Sequence, residues 1–427
     1  MLLNFSNPVS FDEFRQIAAY FASEHGADVL LGAEDQPGSA KSYICIGPQD
    51  ELVLQFGCPA NEISGQIKTF AFADSRPTIG YVSYECGMAL RGVEISKKPD
   101  YPYAHLKKYA AVLMHDAVTG SLEILYGDEY FSGLSGAATE FAGRPYSAEG
   151  PDFHGDSLHF SLDGPAYMKG VSQTLEHIRN GLTYQLNLTT EFTFPAGKTD
   201  PAEWFFDLNR RYPAPYYALL RSGERVIIST SPELFLRVED GVVTSEPIKG
   251  TLSFDKYSEE LVQKLTSSPK EDAELSMIVD LVRNDISANC RCGSVKVEDH
   301  KSVFAVDNML QMFSRVRGEL EQGRDCVDLF LDAFPGGSIT GCPKKSSMQL
   351  IDSLEPHSRG IYCGSIVFIN DPANMVASIV IRTAVHDQKA GRFTYWAGSG
   401  IVIDSDPEAE YLETLAKAGK FLDPEMR

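Results

Sequence analysis

The stretch Thr230-Ser-Pro-Glu-Leu-Phe-Leu-Arg-Val-Glu-Asp-Gly-Val-Val-Thr-Ser-Glu-Pro-Ile-Lys-Gly-Thr251 decides how the chain folds. A strand-forming run (Leu234, Phe235, Leu236, Val238) turns at Asp240-Gly241 and returns through Val242, Val243 and Thr244. Asp-Gly between two β-prone runs is a strong hairpin signal, because the favoured two-residue turn needs positive φ at both central positions. A hairpin closed there predicts that Glu233 and Lys249 approach each other at its open end. An ordinary surface Glu–Lys pair would satisfy the same pattern, so the rest of the chain must discriminate.

Composition narrows the field. A formal charge of −21 over 427 residues excludes a nucleic-acid partner, which needs a basic face. No apolar run approaches the roughly 18 residues of a membrane span. Residues 1–11 lack the basic-then-apolar pattern of a signal peptide, so a cytoplasmic protein is expected. Of the eight cysteines only Cys290 and Cys292 are close, which is no disulfide framework and predicts reduced thiols. The nine histidines show no zinc-ligand spacing.

Outward from the hairpin, helical spacing predicts a helix over 11–22 and strand patterns follow at 28–31 and from Ile79 into a glycine turn at Gly87. A hairpin is expected across Ala117–Gly120. Residues 132–156, rich in Gly, Ser, Ala and Pro, read as a linker between a region 1–145 and a region 158–427. The second region opens with a helix from Asp163-Gly-Pro165 that ends at Gly181, then a strand whose period puts Gln185, Asn187 and Thr189 on one face. Ser268, Pro269 and Glu271 start a further helix, with Glu274 beside its apolar stripe. Gly336 and Gly341 give half of a nucleotide loop, but Cys342 and Pro343 stand where Lys and Ser/Thr belong. The amides entering the helix that follows would still suit an anion. In the tail, Ile381-Arg-Thr383 ends a strand, Trp396-Ala-Gly-Ser-Gly400 reads as a second glycine turn, and Glu410 and Glu413 share one face of the last helix. Paired helix acids are usually solvated; a third carboxylate from elsewhere would make the oxygen-rich site that Mg²⁺ prefers.

Together these pieces resemble the chorismate-utilising enzymes, the family of anthranilate, aminodeoxychorismate, isochorismate and salicylate synthases. The resemblance covers roughly residues 160–427. It rests on Ser231-Pro-Glu233, Pro247-Ile-Lys-Gly-Thr251, Ile278–Asp285, the Pro335–Lys344 loop, Ile381-Arg-Thr383, Ala397-Gly-Ser-Gly400 and Glu410…Glu413. Gly80-Tyr-Val-Ser-Tyr-Glu85 is similar to the family's N-terminal region. The resemblance implies an α+β fold of layered antiparallel β-sheets with flanking helices, the two regions packing as one unit and the linker becoming a crossover within it.

Two positions sort the branches by resemblance. The water-adding enzymes carry Lys where this chain has Gln185, which cannot act as a base, and Lys249 stands where the anthranilate-forming branch has Ala. That implies the aminodeoxychorismate-forming branch. Lys249 would attack C2 of chorismate as the C4 hydroxyl leaves; ammonia would then add at C4 and release the lysine, with Glu233 handling protons. The same resemblance implies Mg²⁺ held by Glu274, Glu410 and Glu413. It implies substrate contacts from Tyr362, Arg382, the amides near Gly398–Gly400, Ser338 and Thr340. It also implies a separate glutamine amidotransferase subunit supplying ammonia, since no glutaminase signature is present. Two residues depart from the pattern: Gln311 where the family has a proton-donating His, and Cys342 where Ala is common. The alternatives are an anthranilate synthase component and a chorismate-binding protein without turnover. Leu30-Leu31-Gly32-Ala33 lacks the Glu-Ser pair of the tryptophan-feedback segment, which argues against such feedback.

Overall fold

The structure, a computed structural model, describes residues 8–33, 41–127, 150–151, 157–254, 257–306 and 309–422. The proposed linker at 132–156 therefore lies almost wholly outside the described residues. The strand pairings among the described residues are antiparallel; consecutive strands form hairpins, others pair across long sequence separations or between the two regions, and helices pack against the sheets. This is the layered α+β arrangement expected.

The two regions share their sheets. Strand Asp28–Leu31 lies between Lys41–Leu54 and Tyr216–Ser222, with Val29 opposite both Ile44 and Leu219. Strand Thr78–Val82, buried at all five positions, lies between Ala104–Asp116 and Ser365–Asp371. The hydrophobic cores are shared as well. Phe14, Ile17 and Phe21 from the first helix pack in one cluster with Trp204, Phe393 and Phe421. Tyr81 and Tyr84 pack in another with Phe334 and Ile366. At about 1.5–3 kcal/mol for each fully buried large apolar side chain, neither region keeps its core if parted from the other.

The opening hairpin closes as predicted. Arg237, Val238 and Glu239 pair with Thr244, Val243 and Val242, and the turn residues Asp240 and Gly241 have φ of 49° and 79°. The chain then leaves the hairpin. Strand Ile248–Ser253 pairs with Met309–Glu319, so Lys249 does not lie across the hairpin from Glu233. Two of the expected turns are not turns. Ser83 accepts the Cys86 amide and starts a helix, Tyr84–Leu90, in which Gly87 permits close packing: a Cβ there would sit 2.7 Å from Pro335. Residues 397–400 lie inside strand Arg392–Ile401, which pairs along its length with Gln185–Pro195. Helix Pro269–Ser287 begins at Ser268 and packs on the Met309–Glu319 strand. The last helix, Pro407–Leu422, packs on strand Arg392–Ile401.

Candidate active site

A cavity of about 490 Å³ opens where these elements meet, and Glu233, Lys249, Ser338, Tyr362, Arg382, Gly398, Gly400, Glu274, Glu410 and Glu413 all line it. Two residues expected there stand behind the wall. Thr340 is buried and gives its hydroxyl to the Gly336 carbonyl at 2.8 Å. Gln185 is also buried, next to the wall at Gly400.

Each side chain is aimed by a local device. Ser231 Oγ ties the Ser-Pro-Glu segment to the Ile379 carbonyl at 2.5 Å and accepts the Glu233 amide at 3.2 Å. Glu233 is 6% exposed, and its Oε1 accepts the Ser338 hydroxyl at 2.7 Å. Burial pushes its carboxyl above the usual range, against the opposing pull of Ser338 and of the Lys249 charge. Lys249 is turned by a bulge: it stands opposite Met312 while Thr251 stands opposite Gln311, leaving Gly250 unpaired at φ 79°. A Cβ on Gly400 would lie 2.9 Å from Gln185 Nε2 and 3.6 Å from Lys249 Nζ, so the amine and the amide converge on one α-carbon. Gly398 is as tightly placed, with a Cβ position 2.2 Å from the Leu188 carbonyl. These glycines serve close backbone approach within a strand, which is why the turn reading failed.

Gln311 faces the cavity, and its buried Oε1, like that of Gln185, has no hydrogen-bond partner among the described residues. A buried acceptor left unmatched favours a ligand that brings an N–H or O–H. Opposite, Arg382 sits in the break between strands Asn374–Ile379 and Thr383–Asp387 rather than at a strand end. It has φ 51°, and its carbonyl accepts the Thr230 amide and hydroxyl at 3.0 and 2.9 Å. Tyr362 is stacked on Trp396 at 5.9 Å and 9°.

The acids Glu274, Glu410 and Glu413 share the cavity with Glu271. Carboxylate oxygens are the donors Mg²⁺ prefers, so the chemistry of the set fits. Their present geometry is not that of ligands: Glu410 accepts the Ser405 hydroxyl and Glu413 holds Lys417, each at 2.6 Å. Among the described residues no three acidic, His or Cys side chains converge enough to hold a metal ion.

Sequence reasoning missed Lys417 and Trp396 as wall residues, while Asn187 comes from the polar strand face that also carries Gln185. Lys417 donates to the Gly398 carbonyl at 3.2 Å, and burial lowers its pKa against the pull of Glu413, helped by the nearby charges of Arg382 and Lys249. Its place one turn beyond Glu413 reads in the sequence as an ordinary solvated helix pair. Lys344, which opens the helix after the half-nucleotide loop, is held by Asp285 at 2.8 Å and by the Ala333 carbonyl at 2.6 Å. A second, mostly apolar cavity of about 240 Å³ lies at the seam between the regions, with Leu30, Leu31 and Tyr43 in its wall.

Comparison with known proteins gives a family model, chorismate binding enzyme, that matches residues 29–423. Anthranilate synthase component 1 of Saccharolobus solfataricus is 32% identical over 366 residues, 83% of each chain. Aminodeoxychorismate synthase component 1 of Klebsiella aerogenes is 40% identical over 259 residues, which span 60% of this chain and 57% of that one. Among solved structures, anthranilate synthase component I from Streptococcus pneumoniae superposes with a TM-score of 0.76 at 25% identity, covering 91% of this chain and 93% of that one. A putative isochorismate synthase of Bacillus anthracis shares the fold, with a TM-score of 0.71 at 18% identity over 96% of this chain and 98% of that one.

Proposed function

We propose, on the premise that the chain belongs to the chorismate binding enzyme family, that it is the synthase component that turns chorismate and ammonia into 4-amino-4-deoxychorismate. Membership makes it a chorismate-utilising enzyme; the product is our reading. The observation that carries it is the convergence of Lys249 Nζ and Gln185 Nε2 on Gly400, in a cavity that also holds buried Glu233. Burial raises the proton affinity of the Glu233 carboxyl, so a primary amine in the same cavity can attack carbon while the carboxyl, in its protonated form, gives its proton to the leaving oxygen.

In this reading Lys249 Nζ forms a bond to C2 of the ring, both ring double bonds shift by one position, and the C4 hydroxyl leaves as water with a proton from Glu233. Ammonia then adds at C4, both double bonds return, Lys249 is released as a free amine, and the new C4 ammonium gives a proton back to Glu233. Chorismate plus ammonia thus gives aminodeoxychorismate plus water. The orphan Gln185 Oε1 would accept an N–H of the incoming ammonia, and Gln311 Oε1 the C4 hydroxyl. Arg382 and Tyr362 would hold the enolpyruvyl carboxylate. Mg²⁺ would be held by Glu274, Glu410 and Glu413 once Ser405 and Lys417 release the last two, and it would supply positive charge against the ring carboxylate. The ammonia would come from a partner glutamine amidotransferase, in the cytoplasm, in keeping with eight free cysteines. No helix among the described residues is long and apolar enough to cross a membrane.

A second reading, anthranilate formation, is favoured by the wider coverage of the Saccharolobus relative. Incubation with chorismate, ammonium and Mg²⁺ separates the two. Aminodeoxychorismate keeps its enolpyruvyl group, and a peptide holding Lys249 should carry a trapped adduct in mass spectra. A fluorescent product with release of pyruvate would overturn the proposal.

A further inference from the structure

Behind the cavity wall lies a buried ion pair that takes no part in the chemistry above. Arg359, 1% exposed, donates from Nε and Nη2 to the two carboxylate oxygens of Glu355 at 2.9 and 2.7 Å. The same guanidinium reaches two backbone carbonyls of different elements, Ile339 at 2.8 Å through Nη1 and Asn187 at 2.6 Å through Nη2. Glu355 completes the clamp by accepting both the amide and the hydroxyl of Thr189 at 2.8 Å. The residue before Ile339 is Ser338, whose hydroxyl holds Glu233. Asn187 and Ile339 line the cavity themselves, and the Asn187 amide donates to the Thr340 carbonyl at 2.9 Å.

The clamp is anchored from the N-terminal region. Glu85 Oε1 accepts the amides of Arg359 and Gly360 at 2.9 and 3.1 Å, and the Tyr84 ring lies 4.8 Å from the Arg359 guanidinium. From that turn the Arg359 carbonyl accepts the amide of Tyr362, the cavity residue. Burial would push Glu355 up, yet the Arg359 charge leads a set of partners that hold it below the usual range, so the pair is ionised.

A buried ion pair is weak support for stability, because desolvation offsets most of the attraction. What this one has is reach: one rigid, planar group ties two wall segments, at Ile339 and at Asn187, to Glu355 at once, which a lysine cannot do. We infer that Arg359, held by Glu355, is a positioning residue that sets the Ser338–Glu233 pair against the Gln185–Asn187 strand, and so acts on turnover from behind the wall. The inference rests on Glu233 as the proton-handling group.

The test is a double-mutant cycle on chorismate consumption with ammonium and Mg²⁺, whatever the product. Arg359→Lys should lower kcat by up to about 10²-fold, the scale of a misplacement of about 1 Å, with KM changed much less. Combined with Ser338→Ala, it should fall little below Ser338→Ala alone, because both act through Glu233. Thr189→Val, which removes one donor to Glu355 and keeps the pair, should do the same more mildly and serves if Arg359→Lys fails to fold. Fully multiplying effects, or unchanged kcat in the folded variants, would overturn the inference. If Glu233→Gln itself leaves consumption intact, the reading of Glu233 fails instead.

Discussion

In the proposed reaction the buried carboxyl of Glu233 handles protons and Lys249, in the same cavity, attacks carbon. Ser338 is the group that most opposes the burial of Glu233, so Ser338→Ala should let its pKa rise further. If protonated Glu233 serves the leaving hydroxyl, activity is lost as pH rises through that pKa, and the alkaline limb of kcat/KM should move to higher pH in the variant. A limb that stays or moves down would remove Glu233 as the acid. Glu233→Gln should lower kcat by about 10²–10⁴-fold, the usual range for general acid–base catalysis. For the acidic wall, Glu274→Gln should raise the Mg²⁺ concentration for half-maximal activity, and an unchanged titration would argue against it as a ligand. Glu233, Lys249 and Arg382 were legible in the sequence because each sits in a distinctive motif. Lys417 and Arg359 were not, since each lies four residues after a glutamate on or just beyond a helix, a spacing that reads as a solvated pair. Only tertiary packing separates the buried Arg359–Glu355 pair from the half-exposed Lys417–Glu413 pair.

Two glycines with the same backbone conformation separate the roles of the elements that carry them. Gly241 in the hairpin turn and Gly250 in the bulge both have φ 79°, but a Cβ on Gly241 meets nothing within 4 Å, whereas one on Gly250 would lie 3.1 Å from Glu271 Oε2. Alanine at either should cost about 1–2 kcal/mol for the left-handed conformation, read from the urea midpoint. Gly241→Ala should keep wild-type kcat, while Gly250→Ala should lower it, because the bulge aims Lys249. Equal activity in the two would mean that the bulge has no such role. The hairpin was legible because Asp-Gly dictates its own turn. The bulge was not, because it exists only against the Met309–Glu319 strand, and the glycines of 397–400 misled because small residues mark close approach as often as turns.

At the scale of the whole molecule, strand sharing leaves each region with open edges when alone. Residues 1–127 expressed by themselves should lack a cooperative urea transition and bind a hydrophobic dye; a cooperative, dye-silent fragment would show that the region folds alone. The sequence suggested two regions packed as one unit through family resemblance, but not which strands cross, since pairing at long range leaves no local pattern. The same interleaving bears on how the protein is made. Strand Thr78–Val82, apolar and buried on both faces, must wait for Ser365–Asp371, roughly 280 residues later, to cover its outer edge. At about 5–20 residues per second, the ribosome takes on the order of 15–55 s to deliver that partner. Throughout that interval the nascent chain presents one open strand edge, and this is the segment that a co-translational chaperone should hold.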